Sequence, residues 1–286
     1  MNILITGDKG FIGRHLTRSV IQDGHQVLGW DIVDKKDISD ITSADLDNID
    51  IIVHLAAIAD VTNSQRNPNL YYDVNVEGTR TIFKAISNVP GGIPIIYASS
   101  SCAREWWRSP YGTTKKMTEV MGEEINRSVA LRFSNVYGEG QRQTMLFPRM
   151  INGNISHVSK NHVRDFVHVD DVIDAIKIFL YSDDFTKFDK VYDVGTGVGH
   201  KVSDLVRRYG FNVTENLGNM CEMLDNTANI DKLTKLGWTP KNDLDKYLKG
   251  KLDGDTKFKK YIQRLLPTKL RFWRNWYQRI RRSGWW

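Results

Sequence analysis

The chain opens on an apolar run of strand length, Asn2 to Thr6, followed by glycines at positions 7, 10 and 13. From there Phe11, Ile12, Leu16, Val20 and Ile21 recur at helical spacing, so the pattern reads strand, glycine turn, helix. A second strand is predicted over Gln26 to Trp30, closed by Asp31. Ile49 to Ala57 is apolar almost without interruption, as in a strand buried on both faces of a parallel sheet. A long helix over Tyr71 to Ser87 follows, then a buried strand over Pro94 to Ala98. A helix at 111–126 leads to strands at Val129 to Phe133 and from Val191 into the glycine turn ending at Gly199. Buried strands alternating with helices predict an α/β fold, a Rossmann-type doubly wound parallel sheet.

After Gly254 the pattern changes. Phe258, Tyr261, Ile262, Leu265 and Leu266 keep helical spacing, Pro267 interrupts, and Leu270, Trp273, Trp276, Tyr277 and Ile280 resume it. The organisation expected is a nucleotide-binding domain over 1–147, a small substrate lobe over 148–255 and a helical basic tail over 256–286. The chain is expected to return to the first domain near 164–182 and 190–199.

Charge sharpens that division. The chain is net +6, yet residues 257–286 hold ten Lys or Arg and no acid, so the first 256 residues carry −4. Half of the eight tryptophans lie in the tail. A cationic amphipathic helix with tryptophans suits the surface of an anionic membrane. Packing on the protein itself or on a dimer partner is the rival reading. Nucleic acid ranks last, because no nucleic-acid-binding fold accompanies the segment. Cys102 and Cys221 make neither a disulfide framework nor a metal cluster, which points to a reducing compartment. With a core strand at residue 1 and no apolar run of spanning length, a cytoplasmic protein is expected, peripheral at the inner membrane face if the tail docks there. His157, His162 and His168 lack metal-ligand spacing on a recognisable scaffold, and no metal is expected.

The glycine turn has a chemical use. It lets the backbone approach a pyrophosphate while the helix N-terminus, at Gly10, Phe11, Ile12 and Gly13, supplies partial positive charge. Asp31 is placed to bind both hydroxyls of an adenosine ribose and would repel a 2′-phosphate, so NAD is expected over NADP. Asp37 and Ile38 are candidates for the adenine, and the small Ala56–Ala57 end of the third strand would let a cofactor lie against the backbone. His54, inside that strand, reads as structural. Tyr111 and Lys115, at i and i+4, share one face of a helix. An ammonium beside a phenol favours phenolate, and such a tyrosine can take the proton of an alcohol while hydride leaves its carbon. A serine from Ser99–Ser101 would hydrogen-bond the same alcohol; Ser100 is the first choice and Ser101 the second.

Taken together, Gly7-x-x-Gly10-x-x-Gly13, Asp31, His54-Leu55-Ala56-Ala57, Asn75, Ser99–Ser101 and Tyr111-x-x-x-Lys115 resemble an extended short-chain dehydrogenase/reductase. The branch is the NAD-dependent epimerase/dehydratase group acting on nucleotide sugars, and the likeness runs from residue 1 to about Pro240. The resemblance implies that Leu55 joins Ala56 and Ala57 at the cofactor, that Asn75 positions Lys115 through water, and that Lys115 also holds the nicotinamide ribose. It implies a homodimer paired through the helices at 71–87 and 111–126. Ser134 to Gly140 is similar to a family segment whose asparagine, here Asn135, reaches toward the substrate diphosphate. Arg142 falls where the family's nucleotide pocket begins. Arg164 heads a stretch similar to Arg-Asp-Phe-x-x-Val-x-Asp, and its forked donors make it the leading diphosphate ligand, against a salt bridge to Asp165 or Asp170.

Two departures bear on the reaction. Only Cys102 to Pro110 separates the serines from Tyr111, where the family has a longer loop. That shortening either opens the site or lets Trp106 and Trp107 close it differently; core and interface positions are the rival readings for the pair. No Asp-Glu pair follows the serines, which counts against dehydration. The expected function is epimerisation of a nucleotide sugar through a keto intermediate. Its rivals are a net dehydrogenase or reductase and a non-catalytic NAD sensor docked by its tail.

Overall fold

The structure is a computed structural model that describes residues 1–252; the membrane-binding tail expected at 256–286 lies outside the described residues. Strand β1 (Asn2–Thr6) passes through the glycine turn into α1 (Phe11–Gln22) and returns as β2 (Gln26–Trp30). Short 3-10 turns lead to β3 (Ile51–His54), then α2 (Val61–Arg66) and α3 (Pro68–Tyr71). A π-helical stretch, Tyr72–Glu77, runs on into α4 (Gly78–Ser87), and β4 (Ile95–Ser100) follows. A 3-10 segment, Ser101–Arg108, precedes α5 (Pro110–Glu123) and β5 (Ser128–Phe133). Next come β6 (Asn135–Tyr137), α6 (Leu146–Ile151), β7 (His157–Ser159), β8 (Val163–His168) and α7 (Val169–Leu180). The remaining elements are β9 (Val191–Val194), β10 (Gly199–Lys201), α8 (Val202–Arg208), β11 (Thr214–Asn216) and α9 (Asp231–Lys235).

Six strands form one sheet in the order β2-β1-β3-β4-β5-β9, with every pairing parallel. Successive side chains of a strand face opposite ways, and both faces here are covered. Ile3, Ile5, Ile51 and Val53 pack with Leu16 and Val20 of α1 and Ile176 and Phe179 of α7. Leu4, Ile52 and Ile95 pack with Ile82, Phe83 and Ile86 of α4. Each such side chain contributes about 1.5–3 kcal/mol on burial, which is why these strands read as continuous apolar runs. Strand order reverses between β1 and β3, and in such sheets the crevice at that reversal is where ligands bind. Smaller sheets, β10-β8-β6 and β11-β7, come from the second half of the chain.

Two elements differ from their sequence patterns. The apolar run ending at Ala57 leaves the sheet after His54, so Leu55 to Ala57 lie at its carboxyl edge, with Leu55 and Ala56 half-buried against the core. The helix expected from Tyr71 is α-helical only at its ends, with the π stretch carrying Asn75 between them. Apolar spacing alone does not separate a π turn from an α turn, since both keep one face buried.

Met1–Asn242 forms one compact unit and Asp243–Trp286 another, of which 243–252 is described and is helical from 244. Among the described residues no helix is long and apolar enough to cross a membrane. The Leu-Gly-Trp-Thr-Pro segment at 236–240 is tied down by one buried acid on α7. The Trp238 indole donates to the Asp171 carbonyl, and the Asp171 carboxylate accepts from the Lys241 and Asn242 amides and the Asn242 side chain. Removing it strands three donors. Asp171→Ala is expected to cost about 2–4 kcal/mol in denaturant unfolding, while Asp170→Ala, on the exposed side of the same turn, should stay within about 0.5 kcal/mol. Equal effects would show that the carboxylate is not what holds the segment.

Candidate active site

The glycine turn is as tight as its spacing predicts. Gly7 has φ +71°, and a Cβ there would lie 2.7 Å from the Ala56 nitrogen. A Cβ on Gly13 would run into the Gly7 carbonyl. Gly10 heads α1 with no side-chain cap, so the first amides of that 12-residue helix have no side-chain acceptor. An uncapped helix N-terminus against a backbone that leaves no room for Cβ atoms fits a pyrophosphate. At the end of β2 the Asp31 carboxylate accepts from the Lys9 and Val33 amides, at 3.2 and 3.0 Å, which fixes it beside the turn. Asp37 is exposed and caps the next 3-10 turn through the Ser39 amide. Ile38 is buried against Gly78, so its side chain packs in the core and only its backbone is left to meet an adenine. Ile32 and Val33, beside Asp31, are the apolar side chains left exposed here, and the sequence pattern did not single them out.

Beneath the β1–β3 crevice runs a polar chain whose direction is dictated by its ends. The Ala56 amide donates to Thr6 Oγ1 (3.3 Å), and Thr6 Oγ1 lies 2.6 Å from His54 Nδ1. On the other side His54 Nε2 is 2.9 Å from Thr79 Oγ1, which donates to the Asn75 carbonyl at 2.6 Å. Thr79 has spent its proton, so it accepts from Nε2–H, and Nδ1 accepts from Thr6. The ring is neutral because its burial disfavours the charged form. Burial, with the Lys115 charge second, pushes its pKa down to about 3. His54 is structural, as its place in the strand predicted.

Asn75, 1% exposed, clasps the next stretch of chain. Its amide accepts from the Ile58 N–H at 2.9 Å and donates to the Ile58 carbonyl at 3.0 Å and to Thr114 Oγ1 at 3.1 Å. Its side chain thus holds the loop after Leu55–Ala57 and the residue before Lys115, and makes no direct bond to Lys115.

The strand β4 ends in the three serines, which go separate ways. Ser99 donates to Glu119 at 2.6 Å. Ser100 accepts from the Cys102 amide at 3.2 Å and hydrogen-bonds the Tyr111 phenol. Ser101 meets Asn226 Nδ2 at 3.4 Å. Ser109 caps α5 through the Gly112 amide at 3.0 Å, with Pro110 at the first helical position. That cap sets the helix so that Tyr111 (8% exposed) and Lys115 (5%) both face inward. Ser100, not Ser101, is the serine joined to the tyrosine.

The electrostatics correct one expectation. Burial pushes the Tyr111 phenol up, against the Ser100 hydrogen bond that pulls it down. Lys115 is not among the leading influences on it: the ammonium donates to the Ala98 carbonyl at 2.7 Å, and burial brings its own pKa down to about 8, with Glu119 pulling the other way. Glu119 was missed. It stands one turn beyond Lys115, is 1% exposed, and receives both Nε and Nη2 of Arg132 at 2.7 and 2.6 Å. The signal was present as a third member of the i, i+4, i+8 row on the face carrying Tyr111 and Lys115.

Arg142, Arg164 and Arg104 have different duties. The Arg142 guanidinium donates to the Ala59 carbonyl at 2.8 Å and its charge bears on Tyr111. Arg164 is spent on its own lobe: it pairs with Glu222 at 2.8 Å and donates to the carbonyls of Val163 and Met223 at 2.9 Å. Its salt bridge is to Glu222, not to Asp165 or Asp170. Asp165 is instead fully buried and accepts the amides of Thr196, Gly197 and Ala228. Arg104, also missed, donates to the Thr227 carbonyl at 2.6 Å and lies 3.6 Å from Asp193. Trp106 and Trp107 are both exposed and stack edge to face with centroids 6.0 Å apart, which removes the core reading for them.

Comparison with known proteins converges on one group. The model of the NAD dependent epimerase/dehydratase family matches residues 3–195. Protein CapI of Staphylococcus aureus is 30% identical over 230 residues, covering 62% of this chain and 68% of its own length. A putative UDP-glucose 4-epimerase of Methanocaldococcus jannaschii is 28% identical over 86% of this chain and 96% of its own. The solved structure of MoeE5 in complex with UDP-glucuronic acid and NAD is similar with a TM-score of 0.77, at 25% identity over 90% of this chain and 99% of that one.

A buried lysine whose pKa falls on folding costs stability wherever it is charged in the folded state. That cost is fully present below about pH 8 and fades as pH rises from there toward the unfolded value of 10.5. Lys115→Met is therefore expected to stabilise the cofactor-free protein by about 1–3 kcal/mol at pH 7. In denaturant titrations the gain should shrink from pH 8 to pH 10. A variant less stable than the parent at pH 7 would contradict this.

Proposed function

The chain belongs to the NAD dependent epimerase/dehydratase family, and on that premise we propose that it epimerises a nucleotide sugar through a transient keto sugar. Members of this family depend on NAD, and the cofactor here is NAD. In our reading the α1 amides at Gly10, Phe11, Ile12 and Gly13 hold the pyrophosphate, Gly7 lets it approach, and Asp31 takes the adenosine ribose. Leu55, Ala56 and Ala57 back the cofactor, Asp37 lies beside the adenine, and Tyr111 and Lys115 take the nicotinamide end. When bound, NAD supplies a hydride acceptor that also returns the hydride.

Tyr111 receives the proton of the sugar hydroxyl on its phenol oxygen as the carbonyl forms, and gives it back when the carbonyl is reduced. Ser100 has one lone pair occupied by the Cys102 amide, so its hydrogen is directed to the phenol or the substrate oxygen. Burial keeps the resting phenol protonated, so the positive charge of an oxidised nicotinamide would be what favours phenolate, with the phenol proton passing to solvent before the sugar hydroxyl gives up its own. Lys115, held on the Ala98 carbonyl, is the nearest cation on the same helix face. Asn135 and Arg142 face the diphosphate, and Arg164 braces the lobe that closes over it.

The observation that favours epimerisation over elimination is the stretch between the serines and Tyr111. It holds no Asp-Glu pair, and its one acid, Glu105, is paired with Arg108. Loss of water from a keto sugar needs an acid and a base of its own, and this stretch does not supply the pair.

Self-association through the outer faces of the helical stretch 71–87 and of α5 belongs to the same proposal, with Tyr72 and Val120 exposed along them. Contact of 256–286 with an anionic membrane rests on sequence alone; removing those residues should abolish pelleting with anionic liposomes, and unchanged pelleting would end that reading.

Incubation of the purified, NAD-loaded protein with UDP-, GDP-, dTDP- and CDP-sugars should give a product of unchanged mass, with no net absorbance at 340 nm. Tyr111→Phe should keep NAD and lose about 10²–10⁴-fold in turnover. A product lighter by one water, or stoichiometric NADH, would overturn epimerisation in favour of dehydration or net oxidation.

A further inference from the structure

We propose that Asn226 is a positioning residue: it fixes which way the Asn135 side-chain amide faces, so that the site offers the substrate diphosphate N–H donors and not a carbonyl. The inference rests on the nucleotide-sugar reading above.

A primary amide has a donor end and an acceptor end of nearly equal size, and only its partners decide which points where. For Asn226 the decision is made by the backbone. The Asp165 N–H can only donate, and it donates to Asn226 Oδ1 at 2.8 Å. Asn226 Nδ2 is thereby turned away from β8, toward Asn135 Oδ1 at 2.7 Å and Ser101 Oγ at 3.4 Å. An amide nitrogen can only donate, so Asn135 must offer it the oxygen; with Asn135 reversed, two NH₂ groups would face each other in a buried place. Asn135 Nδ2 is left pointing away from Asn226, on a half-buried residue, with no protein partner among the described residues.

The strut is anchored at both ends. Asn226 is buried, and its carbonyl lies 3.4 Å from Ser134 Oγ. Two residues on, the Ala228 amide donates to the fully buried Asp165 carboxylate. The relay thus runs from a backbone amide of β8, through Asn226, to the first residue of β6. Its output is a pair of N–H donors, which suits phosphate oxygens. Reversed, Asn135 would put the negative end of a carbonyl dipole there.

The test is a double-mutant cycle, read by titration calorimetry on the NAD-loaded protein with the nucleoside diphosphate of the preferred substrate. Asn226→Asp keeps an oxygen for the Asp165 amide but replaces the donor with an acceptor, which pulls the Asn135 NH₂ inward and turns its carbonyl out. We expect the nucleoside diphosphate Kd to rise about tenfold or more, with KM for the sugar nucleotide rising in step and kcat changing far less. Asn226→Ala, which frees Asn135 without reversing it, should show a smaller rise. In an Asn135→Ala background, Asn226→Asp should add little, because the group it acts through is gone. A full effect of Asn226→Asp in that background would mean that its charge or a fold change acts directly, and would overturn the relay; so would an unchanged Kd in the single variant. Wild-type protein that binds none of the four nucleoside diphosphates would instead remove the nucleotide-sugar reading, and the relay with it.

Discussion

Everything in the site depends on how closely two pieces of backbone approach at the reversal of strand order. Gly7 and the Ala56 amide are so near that a single added carbon would lie 2.7 Å from the nitrogen. That approach lets β1 turn at once into α1, and so presents uncapped amides at the carboxyl edge of the sheet. It also forces a decision about buried polar groups. The Ala56 amide, just beyond the sheet, must be satisfied or cost about 1–3 kcal/mol. The answer is a one-way chain through Thr6, His54 and Thr79 to the Asn75 carbonyl. From Asn75 the same logic reaches Ile58 and Thr114, and so the helix that carries Tyr111 and Lys115.

The helix α5 is less comfortable than its surroundings. Tyr111 and Lys115 are both buried, and burial moves each toward its neutral form: the phenol up, the ammonium down to about 8. A site built for stability would pair them. This one leaves Lys115 with a backbone carbonyl, and gives the full ion pair to Glu119 and Arg132 one turn away. That pair holds α5 against β5 with both carboxylate oxygens occupied, so the cost of burying Tyr111 and Lys115 is carried by a helix anchored one turn away. Arg164 shows the same division of labour. In sequence it looks like a phosphate ligand; in the fold it pairs with Glu222 and donates to the Met223 carbonyl.

Much of this was legible in order of residues. Period and run length located β1 and β2 to the residue and α1 at its first residue, most plainly in β1, whose burial on both faces leaves an unbroken apolar run. The glycine spacing, Asp31 and the Tyr-Lys pair are local devices, each within one turn or one helix face, and local geometry survives in sequence. The π stretch at Tyr72–Glu77 was not legible, since it keeps the same residues buried as an α-helix would. Nor was the fate of Ser99, Ser100 and Ser101, which differ only in what the folded chain puts opposite them.

By itself, then, the sequence determined the layered α/β fold, the cofactor turn and the family, because these follow from periodicities and short spacings that the backbone must obey. Tertiary structure alone decided the partners of each polar group. Asp165 and Asn226 are sixty-one residues apart, as are no two members of a helix face, yet one amide of the first fixes the orientation of the second. Arg164 meets Glu222 across fifty-eight residues, and Ser101 meets Asn226 across one hundred and twenty-five. A hydrogen bond is directional and short-ranged, so which donor meets which acceptor is known only once the strands have brought them together.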